Sequence, residues 1–252
     1  MYEGKRMAHG KSHAHSRSRA GSRVANGFAL RGRLSAKRIT LAFVVTLATA
    51  SACGAGELAI GIVDRAGRPV GDVVVTLAPL AAQPTHRGTA LPTAVMDQRN
   101  LAFVPRVLVV ATGTSVSFPN SDSVSHQVYS FSAAKRFQLP LYKGEGHAPV
   151  IFDHDGLVVL GCNIHDEMAG YIYVTSAAWF GTTDAAGTLR VPDLPGGDYQ
   201  LTLWSPLVAD PPPTLTRPIA IAAQGVTPSR VQLARELRAR PEPRPRRGDW
   251  EY

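Results

Sequence analysis

Gly161-Cys162-Asn163-Ile164-His165-Asp166-Glu167-Met168-Ala169-Gly170-Tyr171 is the segment on which the reading of this chain turns. It sets a thiolate, an imidazole and a thioether three residues apart in one short loop. Gly156-Leu157-Val158-Val159-Leu160 leads into it and Tyr171-Ile172-Tyr173-Val174 leads out, and both runs have the apolar, β-branched character of strands. A mononuclear electron-transfer copper takes one short thiolate bond, two imidazole nitrogens and a weak axial thioether, because soft sulfur suits Cu(I) while imidazole also serves Cu(II). Cys162, His165 and Met168 supply three of those four donors. The loop lacks a second histidine.

The best candidate for it stands upstream, in Thr114-Ser115-Val116-Ser117-Phe118-Pro119-Asn120-Ser121-Asp122-Ser123-Val124-Ser125-His126-Gln127-Val128. Val116 and Phe118 alternate as the inward face of a strand, and Pro119 to Asp122 is a turn that can carry His126 back over the strand end. His86, His147 and His154 lie in loop or turn sequence and have weaker claims on a metal. Each donor also has an ordinary structural reading. A lone cysteine after an apolar strand is commonly a small buried hydrophobe. The coincidence of His and Met spacing with the upstream histidine is what favours a site, and the distance from His126 to the Cys162 sulfur decides it.

From about residue 100 to 176 this set resembles the cupredoxins. In that family a strand ending in Asn precedes the first His ligand, and Cys, His and Met follow together in a later loop. The Cys-x-x-His-x-x-Met spacing is similar to the short ligand loop of amicyanins, within the plastocyanin-like group, and Met168 to Val174 looks like the closing strand. The resemblance implies one type 1 copper held by His126, Cys162, His165 and Met168. It further implies that the side chain of Asn120 ties the His loop to the Cys loop without touching metal. Val128-Tyr129-Ser130-Phe131 and Leu160 to Asp166 are also similar to cupredoxin-like proteins labelled methylamine utilization proteins. Asp166 and Glu167 depart from the pattern, since many relatives carry proline or apolar groups there. The favoured reading is that both acids point to solvent, and Glu167 replacing Met168 as an oxygen donor is the alternative.

The formal charge of +8 is unevenly spread. Residues 1–38 carry ten Lys and Arg against Glu3 alone, and residues 229–252 carry seven against four acids, so the stretch between is net acidic. No basic surface interleaved with aromatics is evident there, which argues against nucleic acid as a partner. Ile39 to Ala52 is an apolar run ending in small residues at Ala-x-Ala spacing, with the form of a secretory signal peptide. It is too short to favour a permanent span, which needs about 20 residues. The expectation is a periplasmic or secreted protein. A lipid anchor on Cys53 is the less favoured route, because Ala50 stands where a lipoprotein box normally has Leu. Either way Cys162 has no disulfide partner, and metal ligation would protect it in an oxidising compartment.

Around the copper region lie two further blocks, Glu57 to Leu80 and Thr182 to Trp204. Their Asp-x-x-Gly turns, Thr183-Asp184-Ala185-Ala186-Gly187 and Leu194-Pro195-Gly196-Gly197-Asp198-Tyr199 resemble the carboxypeptidase regulatory-like, transthyretin-type β-sandwich. The expected fold is all-β: a cupredoxin-like Greek-key sandwich, residues 91–178, inserted into a second small transthyretin/Ig-like sandwich formed by 56–90 and 179–223. Residues 1–52 are then the basic extension and signal peptide. Residues 224–252 are expected to be a basic mobile tail, opened by a short helical pattern at Val231, Leu233, Ala234 and Leu237.

The function this implies is an exported one-electron carrier serving redox protein partners, not an enzyme. No Ser-His-Asp order, phosphate loop or paired-carboxylate arrangement is apparent. The rivals are a periplasmic module that stores or delivers copper, and a metal-free structural sandwich.

Overall fold

The computed structural model describes residues 55–81, 92–208, 214–234 and 237–238. The proposed signal peptide, Cys53, His86 and the end of the tail lie outside them. The strands run β1 (Ala55–Val63), β2 (Val74–Pro79), β3 (Thr93–Val95), β4 (Asp97–Arg99), β5 (Ala102–Val104), β6 (Val107–Ala111), β7 (Thr114–Ser117), β8 (His126–Ser132), β9 (Lys135–Tyr142), β10 (Val150–Phe152), β11 (Gly156–Leu160), β12 (Gly170–Thr175), β13 (Trp179–Thr182), β14 (Thr188–Pro195), β15 (Gly197–Trp204), β16 (Thr214–Ile221) and β17 (Gly225–Gln232). The protein is all-β among its described residues, as short runs punctuated by Gly, Pro and Asp require. No helix among them is long and apolar enough to cross a membrane.

Strands from the two ends of the sequence build one pair of sheets, ordered β14-β1-β17 and β13-β2-β15-β16. In β1 every second residue is buried, so Leu58, Ile60 and Ile62 meet Leu77, Val191, Leu194, Leu201 and Leu203 in one core. Each such side chain contributes about 1.5–3 kcal/mol on burial. The turns are built as their sequences imply. Asp64 Oδ1 accepts the N–H groups of Ala66 and Arg68 at 2.9 Å, and Gly67 takes φ +79°. Asp184 Oδ1 accepts that of Thr188 at 2.8 Å, with Gly187 at φ +70°. Buried Tyr199 donates its hydroxyl to the Pro195 carbonyl at 2.8 Å.

Residues 225–232, read as the start of a mobile tail with a helical pattern, form β17, which pairs parallel with β1 along its length. Val231 and Leu233 are both buried, a spacing of two that belongs to a strand. A parallel partner 169 residues away leaves no local signal. Pro228 is tolerated because β17 stands at the sheet edge.

The middle of the chain builds the other pair of sheets. Backbone bonds between Tyr129 and Gly161 join β9-β8 to β11-β12-β6, while β10-β7-β3 lies opposite with β4-β5 beside it through Gln98 and Asn120. β4–β5, β8–β9 and β11–β12 are antiparallel neighbours, but β6 pairs parallel with β12 and β3 with β7, so the chain also crosses between the sheets. Val116 and Phe118 do point inward, into a core with Phe152, Val158, Leu160 and Ile172. Val74, Val107 and Trp204 make a third buried cluster, where the Trp204 ring lies 5.7 Å from both Tyr171 and Tyr173. That contact fastens β15 to β12, the strand that leaves the Cys-His-Met loop.

Candidate metal centre

The spacing of three in the loop has a backbone cause. Two turns follow each other, closed by His165 N–H to the Cys162 carbonyl at 3.4 Å and Met168 N–H to the His165 carbonyl at 2.9 Å. Gly161 anchors the entry, because the Tyr129 ring fills the place where a Cβ would stand, 2.6 Å away. Gly170 anchors the exit in the same way, against the Phe103 ring. Antiparallel β11 and β12 hold the two ends in register.

His126 opens β8, and the fold lays it over this loop. Its Nδ1 stands 3.9 Å from Cys162 Sγ and 3.2 Å from His165 Nδ1, and His165 Nδ1 stands 3.7 Å from the sulfur. The point equidistant from the three atoms lies about 2.1 Å from each, the length of bonds from imidazole nitrogen or thiolate sulfur to a first-row ion. His126 and Cys162 are buried and His165 is half-exposed. Met168 is buried at 2% exposure in the same packed core as Cys162. Asp166 and Glu167 are exposed. His147 stacks edge-on against Tyr142, and His154 is exposed beside Asp153, as their loop sequences imply.

Charge and hydrogen bonding prepare the donors. Burial pushes the Cys162 thiol up, but hydrogen bonds from His126, from the Gln127 and Ile164 N–H groups and from His165 outweigh it and lower it to about 6. A thiolate, the form that binds metal, therefore exists at neutral pH. Burial pulls His126 down, yet the Cys162 sulfur and Asp122 together raise it.

No protein-family model matches the chain, and no curated protein matches it. Solved structures do. A purple cupredoxin from Nitrosopumilus maritimus is 22% identical over 33% of this chain and 99% of its own, with a TM-score of 0.29. A reduced amicyanin variant is 20% identical over 40% of this chain and 99% of its own, at 0.30. A copper-containing nitrite reductase from Thermus scotoductus is 24% identical over 39% of this chain and 25% of its own, at 0.31.

Asn120 is buried, and both of its amide hydrogens are used, on the Val124 and Tyr142 carbonyls at 2.9 Å. Its Oδ1 accepts the Asp122 N–H at 2.9 Å. It thus shapes the loop that carries His126 and ties it to β9, where the resemblance implied a tie to the Cys loop. That tie is made by the Gln127 N–H on the sulfur. Sequence reasoning missed Asp122, whose Oδ2 accepts His126 Nε2–H at 2.8 Å. An acid four residues before a candidate ligand was the available signal.

Proposed function

We propose that the protein is an exported one-electron carrier with a single type 1 copper, held by His126 Nδ1, Cys162 Sγ and His165 Nδ1, with Met168 axial. The convergence of two imidazole nitrogens and one sulfur, all within 4.8 Å of one another at one end of a sandwich, carries this reading. A His₂Cys set, with Met168 buried in the same core as Cys162, suits copper better than zinc, which prefers four comparable bonds in a tetrahedron. When bound, copper supplies a reversible one-electron couple. The residues do the rest: the two loop turns, the Gly161 and Gly170 contacts and the packed core hold the donors in one arrangement, which keeps reorganisation small. Half-exposed His165 offers the route to partner proteins.

The placement in the periplasm or outside the cell, the likeness to methylamine utilization and carboxypeptidase regulatory-like proteins, and the partition into 56–90 with 179–223, extended through β17 to residue 232, around 91–178 belong to the same proposal. The pairing of β2 with β15 and of β1 with β14 supports the partition. Adding Cu(II) to the purified protein and recording visible absorption and electron paramagnetic resonance tests the site. We expect an intense thiolate-to-copper band in the parent and none in Cys162→Ser. Stoichiometric Cu(II) binding without that band would overturn the type 1 site. A band without reversible voltammetry would favour copper delivery over electron transfer.

A further inference from the structure

The carboxylate of Asp122 joins two parts of the molecule that no sequence pattern connects. It follows the Pro119-Asn120 turn, and its side chain is only 4% exposed. Oδ1 accepts the Asn100 N–H at 2.7 Å, and Oδ2 accepts the Leu101 N–H at 2.9 Å together with His126 Nε2–H at 2.8 Å. Asn100 and Leu101 form the tip of the β4–β5 hairpin, with φ of +54° and +58°. Two successive left-handed residues aim adjacent N–H groups to one side of the turn. Leucine rarely adopts this conformation, so the turn needs something to hold it. The same hairpin carries Phe103, which packs on Gly170 at the exit of the Cys-His-Met loop. One hairpin therefore braces the donor set from both sides.

We propose that Asp122 is a positioning residue for the copper site, selecting the Nε2–H tautomer of His126 so that Nδ1 alone faces Cys162 and His165, and that the Asn100–Leu101 turn is what holds Asp122 in place. This rests on the copper reading above. A carboxylate with both oxygens already accepting N–H groups from the backbone can only accept from the imidazole, so Nε2 carries a proton throughout, and Nδ1 offers its lone pair to a metal once the proton it shares with the Cys162 sulfur has left. The buried negative charge also makes the imidazole a stronger donor and favours the more positive oxidation state of a bound metal. Asp64 and Asp184 give the contrast. Each holds its own turn with a carboxylate, and neither has an imidazole on it.

The experiment uses the full protein loaded with copper, as parent, Asp122→Asn and Asp122→Ala. Asparagine keeps the volume and one acceptor while removing the charge. We expect Cu(II) affinity, measured by competition with a chelator, to fall 10–100-fold in Asp122→Asn, with a raised midpoint potential and the thiolate band retained. In the diamagnetic Cu(I) parent, nitrogen-correlated proton NMR should place the metal on Nδ1 of His126 and show a slowly exchanging Nε2–H, with exchange at least tenfold faster in either variant. Metal on Nε2 of the parent, or no protected Nε2–H, overturns the proposal without need of a variant, even if the alanine variant fails to fold. A folded Asp122→Asn with unchanged affinity, potential and exchange also overturns it, and leaves Asp122 as a turn cap. A parent with no thiolate band would instead remove the copper reading, and this inference with it.

Discussion

The two cores of the protein use strands of different length for different ends, nine and eight residues in β1 and β15 against four and five in β7 and β11. Between β1 and β15 the core side chains are aliphatic, with Tyr199 as the large exception, and the carboxylates of Asp64 and Asp184 hold turns, Asp184 exposed and Asp64 buried against Arg68. Between β7 and β11 the core is equally dry at the Phe152 end, but its other end buries Gln98, Asn120, His126, Cys162 and Met168. A buried polar side chain is tolerated where its hydrogen bonds are met, and the second core meets most of them through turns brought in from separate hairpins and loops, Gln98 Oε1 being the buried acceptor left without a partner. The first core is organised for stability and the second trades some of it for a set of converging donors. Substitutions should therefore separate the two properties.

Leu201→Ala should do so most visibly. Leu201 is fully buried in the first core, and truncation there removes packing and leaves a cavity, costing about 2–5 kcal/mol. Denaturant unfolding should show that loss, while the folded protein keeps the copper band and affinity of the parent. Loss of the band in a folded Leu201→Ala protein would mean that the two cores are not separable.

Asn120→Ala is the counterpart at the polar end. It strips the Val124 and Tyr142 carbonyls of their donor, and buried acceptors left unpaired cost about 1–3 kcal/mol. Because Asn120 shapes the loop before His126, copper affinity should fall along with the melting temperature, the coupling that Leu201→Ala lacks.

What could be read from the chain, and what could not, divides along the same line. The Cys162-His165-Met168 loop was legible because two successive turns impose a fixed spacing on neighbouring residues, and Val116 and Phe118 because a strand alternates. His126 was legible as a histidine returning from a turn. The partner of its other nitrogen was not: Asp122 is a turn former in the sequence, and its role depends on backbone N–H groups 21 and 22 residues earlier. β17 was misread for the same reason, since its pairing with β1 spans most of the chain and Val231, with Leu233 and Leu237 beyond its end, fits a helical spacing as well. Asn120 was recognised by position, but which carbonyls it reached depended on how β9 returned beside it.

The metal-free protein offers a pH test of the donor end. With the Cys162 thiol lowered to about 6, its thiolate ultraviolet absorbance should appear near that pH, well below the value of about 9 for an unperturbed thiol. A depressed acid stabilises the fold above the unfolded value, and that contribution is lost as pH falls from about 9 through 6. His126 is shifted the other way, so its contribution is present at low pH and fades as pH rises. Cys162→Ser should abolish the titration near 6, whereas Leu201→Ala should leave it in place. A thiol that titrates near 9 in the folded parent would mean that the donors are not preorganised.

The smallest effect belongs to Glu167. It is exposed in the loop between His165 and Met168, so its charge acts on the centre through solvent and is screened by salt. A negative charge there favours the oxidised, more positive site. Glu167→Ala should therefore raise the midpoint by roughly tens of millivolts at low salt, less at high salt, with the thiolate band intact. Asp122→Asn should shift it further in the same direction, because that carboxylate is buried and bonded to a donor imidazole. If the Glu167→Ala shift were the larger and independent of salt, the carboxylate would be acting on the centre at bonding distance. Met168 would then not be the axial donor.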